Sequence, residues 1–172
     1  MLSHPMSDGI DDLLGANERY AEDFSLEQGM IPAPPRKQLA IVSCMDARIR
    51  VHTMLGLTEG DAHVIRNAGG VVTDDTIRSL AVSQRRLDTT AVMIIQHTQC
   101  GMNGIDEDAL RDELRRDTGG DPDWAIGGFA DLEESVRTSI RTLRESQYLI
   151  HRDAIRGFVY DVESGRLREI FF

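Results

Sequence analysis

LAIVSCMDAR, residues 39–48, decides the fold. Leu39 to Val42 is an uninterrupted apolar run that continues through Ser43, with β-branched Ile41 and Val42 at its centre. A strand with one wet face alternates apolar and polar residues; a strand covered on both faces has no polar side to show. The run therefore predicts an inner strand of a sheet with helices above and below. It ends in reactive groups: a thiol at Cys44, a carboxylate at Asp46 and a guanidinium at Arg48.

The pattern around it repeats. His63 to Arg66 reads as a second short strand, ended by Asn67-Ala68-Gly69-Gly70. Thr73 offers an N-cap, Asp74 and Asp75 suit the positive end of a helix dipole, and Ile77, Leu80, Ala81 and Leu87 follow at helical spacing. Ala91 to Gln96 is a third strand. Residues 104–117 form a charged, solvated helix, and 119–128 a loop. Phe129, Leu132, Val136, Ile140 and Leu143 recur at intervals of 3, 4, 4 and 3, the mark of an amphipathic helix. Gly157 to Asp161 is a fourth strand, and the turn at Ser164-Gly165 leads into Leu167–Phe171 as a hairpin partner. Strands alternating with helices need crossover connections. The expected class is α/β: a mostly parallel central sheet of four strands plus an antiparallel edge strand, with helices on both faces. Residues 1–9 are expected to be flexible, and 10–172 to form a single domain. Ile10, Leu13, Leu14 and Ala21 place an N-terminal helical arm over residues 10–29, and GMIPAPP (29–35) acts as a connector.

Bulk properties narrow the functions. A net charge of −10 over 172 residues repels phosphate backbones and anionic lipids, so neither nucleic acid nor a membrane surface is an expected partner. No apolar run approaches the roughly 18 residues of a membrane span. Residues 1–6 (MLSHPM) show neither a basic start nor an apolar core of a secretory signal, which leaves the cytoplasm as the expected location. Two cysteines far apart do not make a disulfide framework, and in that compartment they remain thiols or thiolates.

In a doubly wound sheet, ligands bind at the carboxyl ends of strands near the reversal of strand order. Cys44 ends the first strand; His97 and Cys100 follow the third. Two cysteines and a histidine form a zinc ligand set with one tetrahedral position open for water or for a carboxylate such as Asp46. Two buried cysteines beside a hydrogen-bonded histidine would fit the same pattern. Asp46 and Arg48, two apart, point the same way in an extended segment, either as a surface ion pair or as a fixed, ionised acid–base pair. Gly69, Gly70 and Gly101 allow close backbone approach and offer N–H groups to an oxyanion, or merely mark turns. His52 and His151 read as surface residues and His63 as a strand edge.

Taken together, Cys44-Met45-Asp46-Ala47-Arg48, Val64-Ile65-Arg66-Asn67-Ala68-Gly69-Gly70 and His97-Thr98-Gln99-Cys100-Gly101 resemble the signature blocks of the beta-class carbonic anhydrases, in particular their short bacterial, actinobacterial-like branch. Order and spacing agree from about residue 10 to the C-terminus. The resemblance implies reversible hydration of carbon dioxide to bicarbonate and a proton by zinc-bound hydroxide. On that analogy Cys44, His97 and Cys100 bind Zn2+, and Asp46 paired with Arg48 orients or replaces the fourth ligand. It also implies a homodimer or a dimer of dimers, in which the N-terminal helices embrace the partner. Ala47 departs from the serine common in the family's first block. Relatives on this scaffold hydrolyse carbon disulfide or carbonyl sulfide, and a non-catalytic zinc-binding protein is the alternative of another class.

Overall fold

The computed structural model describes residues 9–171. The expected flexible N-terminus, residues 1–9, lies outside them except for Gly9. The contacts divide the chain into two compact units, one reaching Pro32 and one starting at Ala33.

In the first unit, α1 (Ile10–Glu22) and α2 (Leu26–Gly29) replace the single expected helix. The break has a local cause. Ser25 takes extended backbone angles and caps α2: its hydroxyl accepts from Gln28 N while the Gln28 side chain accepts from Ser25 N. This reciprocal capping box starts a new helix where the old one would have continued. Tyr20 and Phe24 meet at the break with their rings tilted and centroids 5.6 Å apart.

The second unit holds one five-stranded sheet. Its elements are β1 (Leu39–Cys44), α3 (Val51–Leu55), β2 (Ala62–Asn67), a single 3-10 turn (Ala68–Gly70), α4 (Asp74–Arg86), β3 (Ala91–His97), α5 (Glu107–Thr118), α6 (Leu132–Glu145), β4 (Ile155–Tyr160) and β5 (Leu167–Ile170). The strand order is β2-β1-β3-β4-β5; the first four run parallel and β5 pairs antiparallel with β4. The expected sheet is the observed one, with each strand shifted by a residue or two. The chain leaves β1 in one direction for β2 and crosses to its other side for β3, so the reversal of strand order falls between β1 and β3.

Two apolar clusters cover the sheet. Ala40, Val42, Val92 and Ile94 pack with Leu80 of α4 and with Val136, Ile140 and Leu143 of α6. On the opposite face Ile41 and Ile95 pack with Val51 of α3, Met54, Met102 and Phe129. Phe129 continues the helical spacing of α6 in the sequence but precedes the helix. Asp131 accepts a hydrogen bond from Glu134 N at 2.9 Å and so starts the helix at Leu132, three residues later. The same effect trims α5, which begins after Asp106 accepts from Ala109 N. Gln84 is buried and pins the loop before β4: its carbonyl accepts from Ile150 N and His151 N, and its amide donates to His151 O. Among the described residues no helix is long and apolar enough to cross a membrane.

The α6–β4 contact depends on a glycine. A Cβ at Gly157 would lie 2.3 Å from Val136 Cγ1 and 2.8 Å from Ile140 Cδ1. Both neighbours are fully packed, so the helix must move outward to admit a methyl group. Gly157→Ala is expected to lower the unfolding free energy by about 1–3 kcal/mol, read from urea denaturation followed by circular dichroism. An unchanged midpoint would show that α6 rides on β4 more loosely than described.

Candidate metal centre

The parallel register carries the ends of β1 and β3 to one place. Ser43 lies opposite Ile95, which leaves Cys44 and the His97-Thr98-Gln99-Cys100 turn side by side. One ligand atom from each of Cys44, His97 and Cys100 lies within 4.8 Å of the other two, and the sulfurs are 4.0 Å apart. All three residues are buried.

The imidazole is fixed in the tautomer that a metal needs. His97 Nδ1 lies 2.9 Å from the Thr98 carbonyl, an acceptor only, so Nδ1 carries the proton and Nε2 keeps its lone pair. Nε2 is buried without a hydrogen-bond partner. Burial pushes the imidazole below its ordinary pKa, so the ring stays neutral and available. Burial likewise pushes the Cys100 thiol up, reinforced by Cys44 beside it. Two soft sulfurs and an orphaned imidazole nitrogen fit a zinc ion, and binding one would displace the thiol protons.

Asp46 and Arg48 do meet, but not in an extended segment. Residues 46–49 form a turn, closed by Ile49 N donating to Asp46 O at 3.0 Å. Asp46 Oδ1 accepts from Arg48 N at 2.9 Å, an Asx-type bond that holds the carboxylate against its own backbone. The guanidinium completes the grip, with Nε on Oδ1 at 3.0 Å and Nη2 on Oδ2 at 2.7 Å. These bonds hold the Asp46 carboxyl well below the usual carboxylate range. Its Oδ2 lies 3.8 Å from His97 Nε2, so the carboxylate sits beside the triad without filling it.

Several residues that sequence reasoning did not single out hold this arrangement. Arg66 donates from Nε to the Cys44 carbonyl at 3.0 Å and from Nη2 to the Asp46 carbonyl at 2.7 Å, tying β2 to the segment that leaves β1. Asn67 donates to Val71 O and to Thr76 Oγ1, shaping the turn after β2. Within that turn a Cβ at Gly70 would lie 2.8 Å from Cys44 N and 2.9 Å from Ile95 O, both backbone atoms, at φ +63°. Gly70 thus lets the turn close over the strand ends. Gly69 is walled by Met102 and Phe129, while the space around Gly101 is open. The other histidines lie elsewhere: His52 and His151 are exposed, and His63 bridges Ser83 Oγ (2.8 Å) and the Ala33 carbonyl (3.2 Å). A groove of about 960 Å3 between α4 and α6, lined by Val71, Ile77, Trp124 and Phe129, contains none of the triad.

Comparison with known proteins agrees with this geometry. Residues 39–120 match the family model described as carbonic anhydrase. The beta-carbonic anhydrase 1 of Mycobacterium tuberculosis is 46% identical over 160 residues, covering 93% of this chain and 96% of that protein. A carbon disulfide hydrolase of Acidithiobacillus thiooxidans is 33% identical, covering 81% of this chain and 80% of its own length. Among solved structures, a carbonic anhydrase from Streptococcus mutans superposes with a TM-score of 0.86 at 38% identity, covering 97% of this chain and all of that one. With this likeness along nearly the whole chain, the protein belongs to the beta-carbonic anhydrase family.

Proposed function

We propose that the protein interconverts carbon dioxide and bicarbonate at a zinc ion held by Cys44, His97 and Cys100. The observation that carries this reading is the buried, unpartnered Nε2 of His97 facing two thiols. Bound there, zinc supplies Lewis acidity that brings the pKa of a water molecule towards neutrality. Asp46 accepts a hydrogen bond at Oδ2 and so orients the attacking water; Arg48 keeps that carboxylate charged and fixed. Arg66 holds the main chain of Cys44 and Asp46 in register. Backbone N–H groups of Gly69, Gly70 and Gly101 are proposed to face the substrate's oxygens. Hydrolysis of carbon disulfide on the same scaffold is the second reading; the relative that bears that name shares 33% identity against 46% for the carbonic anhydrase.

We further propose a homodimer in the cytoplasm, where a reducing medium keeps both thiols free. Support for the dimer lies in α1, which buries no residue and leaves Leu13 68% and Leu14 57% exposed. Apolar side chains in a row on an otherwise charged helix favour a protein partner.

Stopped-flow measurement of carbon dioxide hydration on protein of known zinc content tests the activity. Asp46→Asn is expected to keep its zinc and lose about 100-fold in kcat, the scale on which misorienting a reactant lowers a rate. Cys44→Ser is expected to lose zinc and activity together. A fully zinc-loaded wild-type protein that turns over carbon disulfide and leaves carbon dioxide untouched would establish the second reading instead. For assembly, the double substitution Leu13→Glu with Leu14→Glu is expected to convert dimer to monomer in sedimentation equilibrium, and a wild-type monomer would refute the dimer.

A further inference from the structure

The Asp46–Arg48 pair has an outer anchor. Arg48 Nη1 reaches Gln99 Oε1 at 3.3 Å, and Nη2 reaches the Gln99 carbonyl at 3.1 Å. Gln99 stands between the ligands His97 and Cys100 with φ +57°, a left-handed backbone that a residue bearing a Cβ adopts at a cost. In that conformation both of its oxygens meet the guanidinium. Its amide points onward and donates to Glu163 Oε1 at 2.7 Å.

Glu163 sits in the turn between β4 and β5, which is itself held in place. Asp161 Oδ1 accepts from Glu163 N at 3.0 Å, and Oδ2 accepts from Ser164 Oγ at 2.7 Å. Val162 N donates to Thr98 Oγ1 at 3.1 Å, and Thr98 N donates to Tyr160 O at 3.0 Å, so this turn and the ligand turn are stitched together. The bonds run in one sense: Arg48 donates to Gln99, and Gln99 donates to Glu163. A carboxylate at the far end polarises the amide and makes its oxygen a better acceptor for Arg48.

We propose that Gln99 and Glu163 are positioning residues that anchor Arg48 and thereby hold the Asp46 carboxylate back from the open position of the metal. The inference rests on the proposed role of Asp46. The Arg48 side chain is half-exposed and long, so its bidentate hold on Asp46 leaves it free to pivot unless a second contact fixes it. Asp46 Oδ2 is already 3.8 Å from His97 Nε2. A carboxylate whose partner pivots needs only a small rotation to reach the place where water or an anion would bind.

The test uses full-length protein loaded with cobalt(II), its visible absorption spectrum, and titration with azide, which competes for the open position. Gln99→Ala and Glu163→Ala are each expected to weaken azide binding about two- to fivefold, the range for exposed polar links, with spectral changes in the same direction. The double variant is expected to be no weaker than the more affected single one, since both act through one chain of contacts. Glu163→Gln, which keeps an acceptor for the Gln99 amide, is expected to recover most of the affinity. In an Asp46→Asn background, Gln99→Ala and Glu163→Ala are expected to leave azide binding unchanged, since no carboxylate remains to swing in. If the loss caused by Gln99→Ala persists in that background, the role of Asp46 itself falls. If Gln99→Ala and Glu163→Ala match the wild type with Asp46 present, or if their effects simply add, the anchor alone is overturned. Loss of cobalt from Gln99→Ala would indicate support of the fold only and would count against it as well.

Discussion

A buried imidazole nitrogen with no protein partner is an unfavourable thing to fold around, worth about 1–3 kcal/mol against the native state, and His97 Nε2 is such an atom. The neighbouring structure makes this unavoidable. The tautomer is set by Thr98 O, and the Thr98 backbone is bonded to Tyr160 at the end of β4, so the ring cannot turn to satisfy Nε2 elsewhere. Cys44 and Cys100 offer it only sulfur. A metal ion removes the deficit in one step, and its binding free energy then becomes part of the stability of the folded chain. The sheet order, the glycine turn after β2 and the Arg66 contacts all converge on keeping that one nitrogen in place.

Charge is arranged locally against the global balance. The chain carries a net charge of −10, yet Arg48 and Arg66 both reach the segment that leaves β1. With a metal bound, two thiolates and a carboxylate would gather there, and the two guanidinium groups offset part of that charge at short range. Screening over roughly 8–10 Å in physiological salt makes the distant acidic surface nearly irrelevant to an incoming anion.

Much of this was legible in the sequence because it depends on short-range pattern. An apolar run such as Ala40–Val42 has one cheap place in a fold, between two layers, and that set the sheet. The placement of Cys44, His97 and Cys100 at strand ends followed from topology, and the resemblance supplied their common purpose. What the residue pattern does not carry depends on backbone geometry and on long contacts. Nothing in the residue letters marks Gln99 as left-handed or brings it to Glu163, 64 positions away. The break at Ser25 and the late starts of α5 and α6 arise from capping bonds that override apolar periodicity. Asp46 and Arg48 pair as their spacing suggests, but a turn, and not strand alternation, joins them.

That turn has a consequence for how the centre assembles. Asp46 and Arg48 are two residues apart, and three of their hydrogen bonds close within a single turn of chain, so the pair needs almost no tertiary structure to form. Cys44 and Cys100 are 56 residues apart and meet only when β1 and β3 are in register. The entropic cost of that closure is offset only by the contacts of the paired strands. The ion pair therefore depends on local chain alone and the ligand triad on strand register, so bound metal would serve as a molecular gauge of long-range order in this chain.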